Sequence, residues 1–156
     1  ADGGVKGREL WKDDPNDGPG GTTSLVDDIY DGSDRSYPED LTVFDGVLYF
    51  RANDGVNGDE LWKYDPNDGP NGTTSLVDDI RDGPSSSNPD DLTVLDGVLY
   101  FQADDGITGD ELWTYTPDTG VSQAVDLNKT PDNTLAFLFV FGDYLVVQDT
   151  THEFGD

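Results

Sequence analysis

The residues in this chain that could do chemistry are mostly carboxylates, and they come in clusters. Asp13-Asp14-Pro15-Asn16-Asp17-Gly18 and Asp65-Pro66-Asn67-Asp68-Gly69 each crowd oxygen-bearing side chains beside a glycine. Hard cations such as calcium are bound by closely spaced carboxylate and carbonyl oxygens, with a glycine letting the backbone wrap the ion. Asp14, Asn16 and Asp17, with Asp65, Asn67 and Asp68, are therefore candidate calcium ligands, and calcium is the candidate cofactor. The full calcium-loop pattern, with Asp at alternate positions and a distal Glu, is missing, and Pro15 and Pro66 interrupt it. Asp and Asn also cap turns of their own backbone, so the same spacing suits plain Asx turns.

Catalytic chemistry has less to work with. His152 is the single histidine and cysteine is absent, so zinc sites and nucleophile–histidine triads lack partners. Glycoside hydrolysis needs a carboxylic acid of raised pKa beside a second carboxylate. Three of the five glutamates, Glu9, Glu60 and Glu111, sit in a motif that recurs along the chain, and a catalytic site duplicated in every unit is not expected. They are read as bonding to a neighbouring turn. The following Trp11, Trp62 and Trp113 could stack on sugars, but strict periodicity is what core packing requires, and they are assigned to the repeat core.

Charge limits the partners. Eight Lys and Arg face 34 Asp and Glu, for a formal net charge of −26. Too few cations exist to build a basic face for nucleic acid, and an anionic membrane surface is disfavoured for the same reason. No apolar run is long enough to span a bilayer as a helix. The acidity fits either a high-salt setting, where carboxylates keep a surface soluble, or cation binding. Because 29 of the acids are Asp, turn and loop chemistry is implicated beyond solubility alone.

The elements that position these residues are repeated. Glu-Leu-Trp at 9–11, 60–62 and 111–113 recurs every 51 residues. Gly-Thr-Thr-Ser-Leu-Val-Asp-Asp-Ile at 21–29 returns at 72–80, and the segment at 40–50 returns at 91–101. Each unit reads as four short strands: Leu41–Phe44, Val47–Phe50, Glu60–Tyr64 and Thr73–Val77. Asp45-Gly46 between the first two is the two-residue hairpin signal, since a type I′ turn needs positive φ at both central positions. Gly142-Asp143 replaces it in the last copy, where glycine first suits a type II′ turn. No stretch carries a sustained helical period.

Four-stranded antiparallel units near this length describe propeller blades. Glu60-Leu61-Trp62-Lys63-Tyr64-Asp65 resembles the ELWxxDGT repeat family of predicted secreted and surface proteins, although Pro66-Asn67 stands where Gly-Thr is expected, and Gly-Thr follows later at Gly72-Thr73. The strand, glycine-loop, strand and Tyr-Asp-Pro order is also similar to kelch-like blades. The resemblance covers nearly the whole chain. It implies an all-β, propeller-like, non-catalytic protein located outside the cell or on its surface.

The expected organisation is one repeat domain over 1–156, divided into a half blade (1–30), two blades (31–80 and 81–130, the second degenerate at its end) and a half blade (131–156). Three blades are too few to close a propeller. The expectation is therefore a structural protein that joins copies of itself head to tail, as a ring or a filament, through complementary half blades. A fragment of a longer array is the other resolution. The apolar stretch holding Leu135, Phe137, Phe139 and Phe141, with Leu145 and Val147 after the turn, is the candidate assembly surface. The alternative is a lectin-like module binding carbohydrate at its aromatic and Asp-rich loops.

Overall fold

A computed structural model describes residues 6–125 and 135–149 of the chain. Among the described residues the secondary structure is all strand, turn and bend, with no helix. The strands are β1 (Leu10–Asp14), β2 (Thr22–Asp27), β3 (Glu39–Phe44), β4 (Val47–Asn53), β5 (Asp59–Asp65), β6 (Thr73–Asp78), β7 (Asp90–Leu95), β8 (Val98–Asp104), β9 (Asp110–Thr116), β10 (Gly120–Val125), β11 (Leu135–Phe141) and β12 (Tyr144–Asp149).

They form four antiparallel sheets in chain order. The second and third are four-stranded meanders, β3-β4-β5-β6 and β7-β8-β9-β10; the first and fourth are the pairs β1-β2 and β11-β12. Among the described residues the sheets do not close into a propeller.

Local chemistry explains the strand ends. Asp45 and Gly46 have φ of 51° and 79°, and Asp96 and Gly97 have 50° and 76°, so both hairpins turn with positive φ at the two central residues. In the third hairpin Gly142 (φ 61°) is the residue that does so. β3 and β7 start earlier than the apolar pattern suggests, because a bulge lets Glu39 and Asp90 rejoin the ladder opposite Arg51 and Gln102. Asp40 and Asp91 occupy the bulges at φ 54° each, a conformation that Asp tolerates better than most side chains.

Successive sheets stack face to face. Leu10 of the first sheet packs with Phe50, Ala52 and Tyr64 of the second. Phe44, Tyr49 and Leu61 of the second pack with Leu92, Leu99, Phe101, Ala103 and Tyr115 of the third. Leu112 and Tyr100 of the third meet Leu138, Leu145 and Val147 of the fourth. Each full sheet is therefore apolar on both faces, a pattern that only neighbours on both sides can satisfy. The inner strands also run beside one another: Thr42 Oγ1 donates to Leu92 O at 2.8 Å, and Asp91 Oδ2 accepts from Leu138 N at 2.9 Å.

Two glycines test this geometry. A Cβ on Gly58 (φ 74°) would lie 2.5 Å from Ser85 O on the loop between β6 and β7, whereas one on Gly83 (φ 86°) meets nothing within 4 Å. Both replacements by alanine carry the left-handed strain of about 1 kcal/mol, but only Gly58→Ala adds a backbone clash. Thermal unfolding is expected to show Gly58→Ala lowering the midpoint clearly more than Gly83→Ala. Equal effects would mean that the loop can move away from β5 without loss.

Candidate functional site

The recurring glutamate is the joint between sheets. Glu60 is fully buried at the start of β5. Its Oε1 accepts from Ser87 N at 2.8 Å, and its Oε2 accepts from Ile80 N at 3.1 Å and from Ser87 Oγ. Ser87 lies on the segment that leads into the third sheet, and its carbonyl accepts from Asp104 N of β8 at 2.9 Å. One carboxylate thus ties the second sheet to the entry of the third. Glu9 repeats the arrangement one unit earlier, accepting from Ser36 N and Ile29 N at 3.1 Å each and from Ser36 Oγ. Glutamate reaches this site because it is one methylene longer than the aspartates that fill the turns. The sequence indicated a turn partner; the serine 27 residues downstream becomes visible only in the fold. Burial pushes Glu60 up to about 7, even though the Ser87 and Ile80 donors pull the other way.

The tryptophans divide. Trp62 is half-buried against the cluster around Phe50 and Tyr64. Trp113 is half-buried against the second sheet, and its indole N–H donates to Ala103 O at 2.9 Å. Trp11 corrects the core assignment: it is 51% exposed. Leu10 and Lys12 of β1 face the second sheet, with Lys12 Nζ 3.0 Å from Tyr64 Oη, so the alternate residue Trp11 points to the side where no sheet packs.

The Asp-rich loops fold as capped turns. Asp14 Oδ1 accepts from Asn16 N at 2.9 Å, and Asp65 Oδ1 accepts from Asn67 N at 2.8 Å. Asp17 and Asp68 complete the turns through their backbones, donating to Asp14 O and Asp65 O. These are Asx turns. Among the described residues no three or more His, Cys, Asp or Glu side chains group to hold a metal ion. His152 lies outside the described residues.

A cavity of about 290 Å³ opens where the inner strands meet, lined by Asp40, Thr42, Asp91, Thr93, Leu138 and Phe139 among others. Burial first, and then the neighbouring Asp90 carboxylate, push Asp40 up to about 6. Asp91 is already engaged, since its Oδ2 accepts from Gln102 Nε2 at 2.6 Å as well as from Leu138 N. Neither Asp40 nor Asp91 belongs to the loops that the residue pattern marks as candidate ligands. The signal for this pair was the acidic doublet, Glu39-Asp40 and Asp90-Asp91, repeated 51 residues apart ahead of an apolar strand.

Among the described residues no sheet lies over either end of the stack. On β11 and β12 the proposed assembly residues separate by face. Leu145 and Val147 turn inward onto Leu112 and Leu138, so they belong to the internal packing. Phe137, Phe139 and Phe141 are 58%, 50% and 71% exposed, and Phe139 also lines the cavity between the inner strands. The side chain of Leu135 lies outside the described residues. At the opposite end, Leu41 and Val43 of β3 are 51% and 66% exposed. Their repeat counterparts Leu92 and Val94 are packed in the main core. The difference arises because β1-β2 has no inner strands to lie over β3. Comparisons with family models, with curated proteins and with solved structures find no match to this chain.

Buried Glu60 and half-buried Asp40 and Asp105 set a direction for stability with pH. Glu60 and Asp40 titrate above their ordinary ranges in the fold, so the stability they confer is complete below their unfolded pKa values and is lost as pH rises through about 6 to 7. Asp105 has the opposite sign: burial opposes ionisation, but the Thr108 and Ile107 N–H donors outweigh it and hold the carboxyl low, so its contribution disappears in acid. The thermal midpoint should therefore fall between about pH 5 and pH 8, with Glu60 accounting for on the order of 3 kcal/mol. Glu60→Gln should lower the midpoint at pH 5 by removing an acceptor, yet flatten the curve above it. An unchanged slope would show that another group titrates.

Proposed function

We propose that this chain is a non-catalytic structural β-repeat protein that associates with copies of itself, head to tail, by completing its two-stranded end sheets. The observation that supports this is the match between the free strand edges. β4 pairs with β5 in the register Leu48↔Tyr64, Phe50↔Trp62 and Ala52↔Glu60. β12 is the repeat counterpart of β4 and β1 that of β5, yet among the described residues β12 pairs only with β11, and β1 only with β2. Carrying the internal register across sets Leu145 opposite Asp13 and Val147 opposite Trp11 of the next copy. A composite sheet of β11, β12, β1 and β2 would have the strand order of the two complete sheets and would remove two exposed edges. Repetition of that joint gives a propeller-like ring or an open filament, depending on whether the rotation closes.

The extracellular or cell-surface setting rests on the repeat resemblance alone. Calcium is a separate element of the proposal, because the Asp14 and Asp65 turns hold themselves without an ion. The carbohydrate reading is weaker: Trp62 and Trp113 lean on the core, which leaves Trp11 as the one exposed platform of the three.

Sedimentation and electron microscopy of the whole chain should show species larger than 16.9 kDa. Trp11→Ala removes one cross-strand contact and should weaken association several-fold with little change in the thermal midpoint. Assemblies that persist in chelator would leave calcium out of the joint, and assemblies that dissolve would put it in. A chain that stays monomeric at high concentration, with and without calcium, would overturn the self-association reading.

A further inference from the structure

Edge pairing alone would not choose its partner, since any free strand edge can extend a sheet. The uncovered faces carry more information. Within the chain, Phe44 of β3 is buried against the third sheet, in the same cluster as Leu92 and Val94 of β7. Phe44 and Leu95 close their hairpins opposite Val47 and Val98, and Phe141 closes its hairpin opposite Tyr144. Phe141 is thus the counterpart of Phe44, and Leu41 and Val43 are the counterparts of Leu92 and Val94. Among the described residues the contact that Phe44 makes has no equivalent at Phe141, beyond which no sheet lies, or at Val43, over which no inner strand lies.

Resting on the self-association reading above, we infer that the partner of this surface is a second copy of this chain. Phe139 and Phe141 of one copy seat on Leu41 and Val43 of the next, continuing the Phe44–Leu92/Val94 interface already present between the second and third sheets. Two further observations support the match. Phe139 takes the place of Thr42, whose hydroxyl touches Leu92 O, so in the joint a larger apolar side chain stands beside Leu41. Both patches are apolar and exposed, Leu41 and Val43 on one side and Phe139 and Phe141 on the other. The contact is heterologous, with different residues on its two sides, so each copy has one donor face and one acceptor face.

That asymmetry gives a decisive experiment. Val43→Lys blocks one face and Phe141→Lys the other; both sites are exposed, and lysine reduces the net charge, so added repulsion is not a confounding cause. In sedimentation, wild type should assemble, each variant alone should be monomeric, and an equimolar mixture should form a one-to-one dimer through its remaining pair of intact faces. Circular dichroism and unchanged thermal midpoints check the fold, and Leu41→Lys on the same face replaces Val43→Lys if that variant unfolds. If wild type assembles and the variants assemble equally well, the face contact is wrong while edge pairing stands. If wild type assembles and the mixture stays monomeric, the two faces are not partners. A monomeric wild type removes the self-association reading and this inference with it.

Discussion

A sheet that is apolar on both faces must be covered on both, and this requirement governs the rest of the molecule. β4 sends Phe50 and Ala52 toward the first sheet and Tyr49 toward the third, because successive side chains of a strand point to opposite faces. An isolated four-stranded sheet of this composition would leave half of that surface in water. Repetition is the economical solution: one unit covers the next with the residues that its own neighbour uses to cover it. Among the described residues no neighbouring sheet lies over Val43 or Phe141, and both are exposed.

Stacking by apolar contact is not directional, and the buried glutamates supply direction. Glu60 gathers three donors from one segment, and that segment is bonded in turn to β8, so the carboxylate ties the entry of the third sheet to the second. Burying a carboxylate is costly unless its oxygens are hydrogen-bonded, and here they are. Glu9 and Ser36 make the same joint one unit earlier, which makes it a property of the repeat. A role of this kind explains why a long acidic side chain recurs in a sequence that otherwise favours Asp.

The aspartates divide into groups with different work. Those at Asp14 and Asp65 cap turns, those at Asp45 and Asp96 take positive φ in hairpins, and those at Asp40 and Asp91 occupy bulges. Short acidic side chains meet all three demands, because they accept from nearby backbone N–H groups and tolerate left-handed conformations. At these six positions backbone geometry explains why Asp stands where Glu would not serve.

By itself the sequence determined the all-β class, the 51-residue unit, the four strands of each unit and the hairpin turns, because these depend on alternation and on local φ preferences that a few neighbouring residues set. It also showed that Glu9, Glu60 and Glu111 were special, through spacing alone. Only the tertiary structure decided that the partner of Glu60 is Ser87, that Trp11 lies outside while Trp62 and Trp113 lean inward, and that Leu145 and Val147 are internal while Phe139 and Phe141 are not. Identical motifs received different fates because burial belongs to a residue's place in the stack: a side chain is covered when a neighbouring sheet lies over its face, and no local pattern records whether one does.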